Sequence, residues 1–106
     1  DVYKRQLKAD MTIEEIVKKV SEISSVPEKE IVGKSRKMEI AQARQVSMFL
    51  SREILGKSLS GIGMYFGGRD HTTVMHAIKT ISEKVNTDDV ISNTISKLRT
   101  DLNQSF

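Results

Sequence analysis

Apolar side chains in this chain recur three and four residues apart, and nowhere do they alternate at the period of two that a strand requires. That spacing restricts the chain to helical folds. It appears in five segments. In the first, Thr12 is a natural N-cap with Glu15 three residues on, a capping box, and Ile13, Ile16, Val17, Val20 and Ile23 follow on one face. This helix ends near Ser24 and Ser25. Pro27 then opens a short turn to Ile31, and Gly33 ends it. A long helix is expected from Met38 to Leu55, with Ala43, Val46, Phe49, Leu50 and Ile54 as its buried stripe. Gly56 closes that helix. Ser58 caps a short helix over 59–66, and Gly67-Gly68 makes a turn. Asp70 or Arg69 opens a fourth helix whose inner face is Val74, Ala77, Ile78, Ile81 and Val85. Thr87 or Asp88 caps a fifth, with Ile91, Ile95, Leu98 and Leu102 inward.

The expected fold is therefore all-α: a single helical domain of about five helices. A length of 106 residues suits one domain. One proline and no tryptophan agree with helices rather than with a turn-rich β protein. The absence of cysteine excludes disulfides, thiolate metal sites and a cysteine nucleophile. No run approaches the roughly 18 apolar residues of a membrane span, and Asp1 to Asp10 has no apolar signal-peptide segment. Residues 1–11 read as a linker from an upstream region, 12–102 as the domain and 103–106 as a frayed tail.

The net charge of +3 is unevenly placed. Residues 33–79 hold Lys34, Arg36, Lys37, Arg44, Arg52, Lys57, Arg69 and Lys79 against Glu39, Glu53 and Asp70, while both flanks are slightly acidic. A basic centre suits a polyanion. It also suits a merely solvated surface.

The segment 59–85 carries the strongest chemical signal. A short helix, a glycine turn and an amphipathic helix make a helix-turn-helix, here with a slightly lengthened turn. Ile62, Phe66, Val74 and Ala77 would seal its inside, and Gly63 and Gly67 would permit close helix approach. Arg69, Asp70, His71, Thr72 and Thr73 then stand at the start of the second helix, with Met75, His76 and Lys79 farther along. Arginine donates twice to guanine, aspartate accepts from cytosine N4 and a threonine methyl meets the thymine methyl. A helix N-terminus favours phosphate. The blander alternative makes Asp70 an N-cap alone and His71, His76 and Lys79 solvated. The loop Lys34, Ser35, Arg36 and Lys37 suits a phosphate-binding or minor-groove arm, or again a solvated charge run.

Other motifs fail on spacing. Gly33-Lys34-Ser35 and Gly56-Lys57-Ser58 echo the end of a P-loop, but Glu28 and Ser51 stand where its first glycine belongs, and no strand precedes either. His71 and His76, five apart, do not share a helix face, which argues against a metal site. No nucleophile–base–orienter set is spaced for catalysis. Nothing in the chain asks for a cofactor, and no enzyme activity is expected.

The run Gly67-Gly68-Arg69-Asp70-His71-Thr72-Thr73-Val74-Met75-His76-Ala77 resembles the signature of the C-terminal DNA-binding domain of the bacterial replication initiators of the DnaA family. The resemblance continues without gaps through Lys34 to Lys37, Ala43-Arg44-Gln45, Ser58-Leu59 and Ile62-Gly63, covering about 12–82. It implies a Trp-repressor-like helix-turn-helix that binds DnaA boxes, short asymmetric duplex sites at the chromosomal origin. It implies that Arg69, Asp70, His71 and Thr72 face bases in the major groove and that Arg36 enters the minor groove. Among positions near the phosphate backbone it places Arg44, Gln45, Arg52, Leu59, Ser60, Thr73 and His76, to which the charge pattern adds Lys34 and Lys79. An upstream ATP-binding region, cytoplasmic nucleoid-associated localisation, a monomeric isolated domain and replication regulators as further partners also follow from the resemblance. Ser60-Gly61 stands where the family often has Pro-Glu, and Gln42-Ala43 where it often has Arg-Pro. The first change is expected to loosen the short helix, and the second removes a positive charge.

Two other classes compete. A helix-turn-helix transcription regulator would bind a palindrome as a dimer, with Ile91, Ile95, Leu98 and Leu102 as its seam. A protein-interaction module would present the basic face to an acidic partner.

Overall fold

A computed structural model describes residues 11–104. Among these residues all regular structure is helical: α1 (Ile13–Ser24), α2 (Glu28–Ile31), α3 (Met38–Leu55), α4 (Leu59–Tyr65), α5 (His71–Thr87) and α6 (Asp89–Gln104). The all-α expectation holds, with two corrections to its details. The segment after Pro27 closes a helical turn of its own, so there are six helices among the described residues rather than five. The linker expectation for 1–11 falls on residues outside the described ones except at Met11, which is buried against the core. Similarly, α6 runs on through Asn103 to Gln104, inside the expected tail, while 105–106 lie outside the described residues.

Local chemistry sets the helix ends. The Thr12 hydroxyl accepts from the Glu15 amide at 3.3 Å and caps α1. Ser25 ends α1 in the left-handed region at φ +62°, a conformation that a non-glycine residue adopts at some cost. Gly56 does the same for α3 at φ +63° without that cost. The Asp88 carboxylate accepts from the Val90 and Ile91 amides and opens α6.

Helix α3 is the axis of the fold. It packs against α1, α2, α4 and α5, while α6 closes over α1 and α5. The core contains Ile16, Leu50, Ile62, Phe66, Val74, Ile81, Ile95 and Leu98, all sealed from solvent. The expected inner faces of α1, α5 and α6 are the observed ones, except that Ile23, Ile78 and Val85 are only partly covered. The face of α3 is broader than the expected stripe. Ile40, Met48, Arg44, Ser47 and Ser51 are also buried, whereas Ile54 is partly covered. A helix enclosed on several sides buries more than one stripe. Its small polar residues are tolerated because each serine hydroxyl donates back within the helix, Ser47 to the Ala43 carbonyl and Ser51 to the Ser47 carbonyl, both at 2.8 Å.

Candidate nucleic-acid interface

The turn between α4 and α5 is built from three glycines. Ser58 caps α4 by accepting from the Gly61 amide at 3.0 Å, so α4 forms despite glycine at position 61. After Phe66 the chain reverses through Gly67 at φ +86° and Gly68 at φ +80°. The amides of Gly68 and Arg69 then both donate to the Gly63 carbonyl, at 3.0 and 2.9 Å. Backbone thus meets backbone at Gly63, where a Cβ would overlap the Arg69 carbonyl.

This turn delivers Asp70 in an extended conformation, and its Oδ1 accepts from the Thr73 amide at 2.8 Å. Asp70 is therefore the N-cap of α5. Hydrogen bonds from the Thr73 amide and hydroxyl hold its carboxyl below the usual aspartate range. Capping does not hide the residue. Asp70, His71, Thr72 and Thr73 are all exposed on the first turn, and His76 and Lys79 continue the outer face. Val74, Ala77 and Ile81 point the other way, into the core.

The basic loop is placed differently. Lys34, Arg36 and Lys37 are exposed. The backbone beneath them is held by two guanidinium groups. Arg44 donates through Nε to the Ile31 carbonyl at 2.7 Å, through Nη1 to the Ser35 carbonyl at 2.9 Å and through Nη2 to the Glu30 carbonyl at 3.0 Å. Arg69 donates through Nη2 to the Gly33 carbonyl at 2.7 Å. Burial, and then the neighbouring Arg69 charge, lower the Arg44 pKa from its ordinary value.

Two expectations change here. Arg44, expected beside the phosphate backbone, is 6% exposed, and all three of its nitrogens are bonded to carbonyls. It is an internal brace. Arg69, expected as a base reader, is half-buried, with Nη2 committed to Gly33 and Nε sealed without a partner. The remaining candidates fall in three places. A cleft of about 290 Å³ between α3 and α5 brings Gln45, Thr73 and His76 together with Arg44 and Arg69. Arg52 is exposed at the end of α3 and donates to the Lys57 carbonyl at 2.8 Å, near Leu59 and Ser60 at the start of α4. Leu59 is partly buried against the core, and Ser60 is exposed. Gln42 lines a groove on the other side of α3 with Val20, Ile91 and Leu98, so the charge absent there lies away from the Arg44 side.

Sequence reading did not find the part played by Gly33, whose carbonyl receives Arg69 across 36 residues of chain. No local pattern encodes so distant a bond. Among the described residues no three histidine or carboxylate groups converge as a metal site would require, and no helix is long and apolar enough to cross a membrane.

Comparison with known proteins adds sequence and structural relatives. Residues 13–81 match the family described as the bacterial dnaA protein helix-turn-helix. The chain is 43% identical over 89 residues to the chromosomal replication initiator protein DnaA of Chlorobaculum tepidum, covering 84% of this chain and 18% of that protein. It is 41% identical over 98 residues to the DnaA of Limosilactobacillus reuteri, covering 92% of this chain and 22% of the relative. It thus spans about a fifth of the length of these curated relatives. A crystal structure of a DNA replication initiation factor superposes with a TM-score of 0.80 at 25% identity, over 98% of this chain and 32% of the other.

Proposed function

Because the chain belongs to the bacterial DnaA helix-turn-helix family, we propose that it binds duplex DNA sequence-specifically at DnaA boxes, and that α5 enters the major groove while Arg36 reaches the adjacent minor groove. One observation carries this reading: the capped start of α5 exposes Asp70, His71 and Thr72 as a set, with the basic loop bonded to the same turn through Arg69. These three side chains are the base readers of the proposal. Lys34, Gln45, Arg52, Leu59, Ser60, Thr73, His76 and Lys79 flank them towards phosphate. The module itself supplies binding rather than catalysis and needs no cofactor. ATP binding, regulators and action on the chromosome in the cytoplasm belong to the longer protein of which such a module forms part.

A salt series with two duplexes tests this reading. Neutralising about five phosphates gives a slope of log K against log salt near −4 to −5. A slope near zero, or equal binding to a DnaA box and a scrambled duplex, would overturn it. Sedimentation at the concentrations used should find one domain per asymmetric site; a dimer on a palindrome would support the transcription-regulator reading instead.

A further inference from the structure

We infer that Arg69 is a positioning residue: its bond to the Gly33 carbonyl fixes the placement of the Arg36 loop relative to the start of α5, and it reads no base itself. The inference rests on the DNA-binding reading for its consequence, though not for its geometry.

Four carbonyls within residues 30–35 receive guanidinium donors, those of Glu30, Ile31 and Ser35 from Arg44 and that of Gly33 from Arg69. Arg36 follows this stretch directly. The two braces come from different elements. Arg44 belongs to α3, the axis of the fold, whereas Arg69 belongs to the turn whose amide donates to Gly63 and whose next residue caps α5. Arg69 is therefore the side chain that joins the loop to the start of α5. A two-pronged contact to guanine needs an open edge of the guanidinium. The edge formed by Nε and Nη2 is not open, because Nε is sealed and Nη2 is engaged, and at the end formed by Nη1 and Nη2 one Nη2 donor is already given to Gly33. The arrangement also sets two cations side by side, and no carboxylate among the described residues pairs with either. A buried Nε without an acceptor is unfavourable. The Gly33 carbonyl is thus the acceptor that holds Arg69 in the free domain.

A double-mutant cycle on box binding separates positioning from reading. Arg69→Ala should weaken binding about ten-fold, and selection from random duplexes should lose preference at the Arg36 end of the box while keeping it under α5. In an Arg36→Ala background the same change should cost no more than about two-fold, since the loop no longer carries its arginine. Arg69→Lys keeps the charge and one donor, and should recover part of the loss. Multiplicative losses, with preference lost at a base pair under α5, would show that Arg69 reads that base and would overturn the inference. Amide spectra of the free chain supply a readout without DNA: Arg69→Ala should shift the resonances of residues 33–37. Unchanged loop resonances would overturn the inference even if DNA binding fell. Should Arg69→Ala fail to fold by circular dichroism, Arg69→Gln serves in the same cycle. Failure of the wild-type chain to prefer the box would overturn the DNA-binding reading alone, because the amide shifts still decide whether the bond holds the loop.

Discussion

The start of α5 and the basic loop both present exposed polar side chains, yet they are held in place by opposite means. The α5 start is locally determined: Asp70 caps through Thr73 three residues away, and Gly67 and Gly68 supply the positive φ values just before it. The loop has no such internal frame beyond the Lys37 amide meeting the Ser35 hydroxyl at 3.3 Å. Its backbone is held by Arg44 and Arg69, from 9 to 36 residues away. Local encoding makes a surface robust to changes elsewhere. Remote bracing makes it dependent on side chains that belong to other elements.

The comparison breaks most severely at Gly63. Gly63→Ala forces a Cβ into the Arg69 carbonyl, so the turn that serves both regions must move. A loss of about 3–5 kcal/mol is expected in urea unfolding. A loss below about 1 kcal/mol would show that the turn can relax and that its geometry is not fixed. Next comes Arg44→Met, which keeps an unbranched apolar stem and removes the donors to three carbonyls. We expect a loss of about 2–4 kcal/mol and faster amide exchange in residues 33–37 than at the start of α5. Equal changes in the two regions would erase the distinction between them. Arg52→Ala, on an exposed arginine, is the control and should stay within about 0.5 kcal/mol.

Acid should probe the α5 start alone. The Asp70 carboxyl is held below its ordinary range in the folded chain by the Thr73 hydrogen bonds. Its stabilising contribution is thus complete above the ordinary aspartate range and is lost as pH falls through the depressed folded value. Melting curves of the wild type and of Asp70→Asn should differ in pH dependence only in that acid range, because asparagine caps well but does not titrate. Identical pH profiles would mean that the cap contributes nothing through its charge. The smallest effect on stability is expected from His71→Ala, within about ±0.5 kcal/mol. The same variant should cost about 1–3 kcal/mol of discrimination at one base pair of the box. Unchanged selectivity would remove His71 from the readers.

This contrast also explains what was legible in the sequence. Thr12, Ser58 and Asp70 act on amides three residues ahead, and the inner faces of α1, α5 and α6 repeat every three or four residues. Such signals lie inside a short window, so the helices and the exposed set at the start of α5 follow from them. The resemblance to the family run over 67–77 reached the same turn by another route, and the matched region 13–81 agrees with it. Arg44 and Arg69 are more buried than their basic surroundings suggest, for one reason. A cation in a basic stretch reads as surface until the carbonyls that receive it are known, and those carbonyls lie on α2 and in the loop. The breadth of the buried face of α3 was hidden likewise, because enclosure by neighbouring helices leaves no periodic mark on Ser47 or Ser51.

The link from Arg69 to Gly33 gives the domain a sense of distance. One base pair advances a duplex by about 3.4 Å and turns it by roughly 35°. Two probes braced to a common turn cannot follow such a step independently. On the proposed reading, the domain gauges the interval between the two grooves it touches as strictly as the bases within them. A site with every contacted base intact but one pair inserted between the two contacts would therefore be measured as the wrong length.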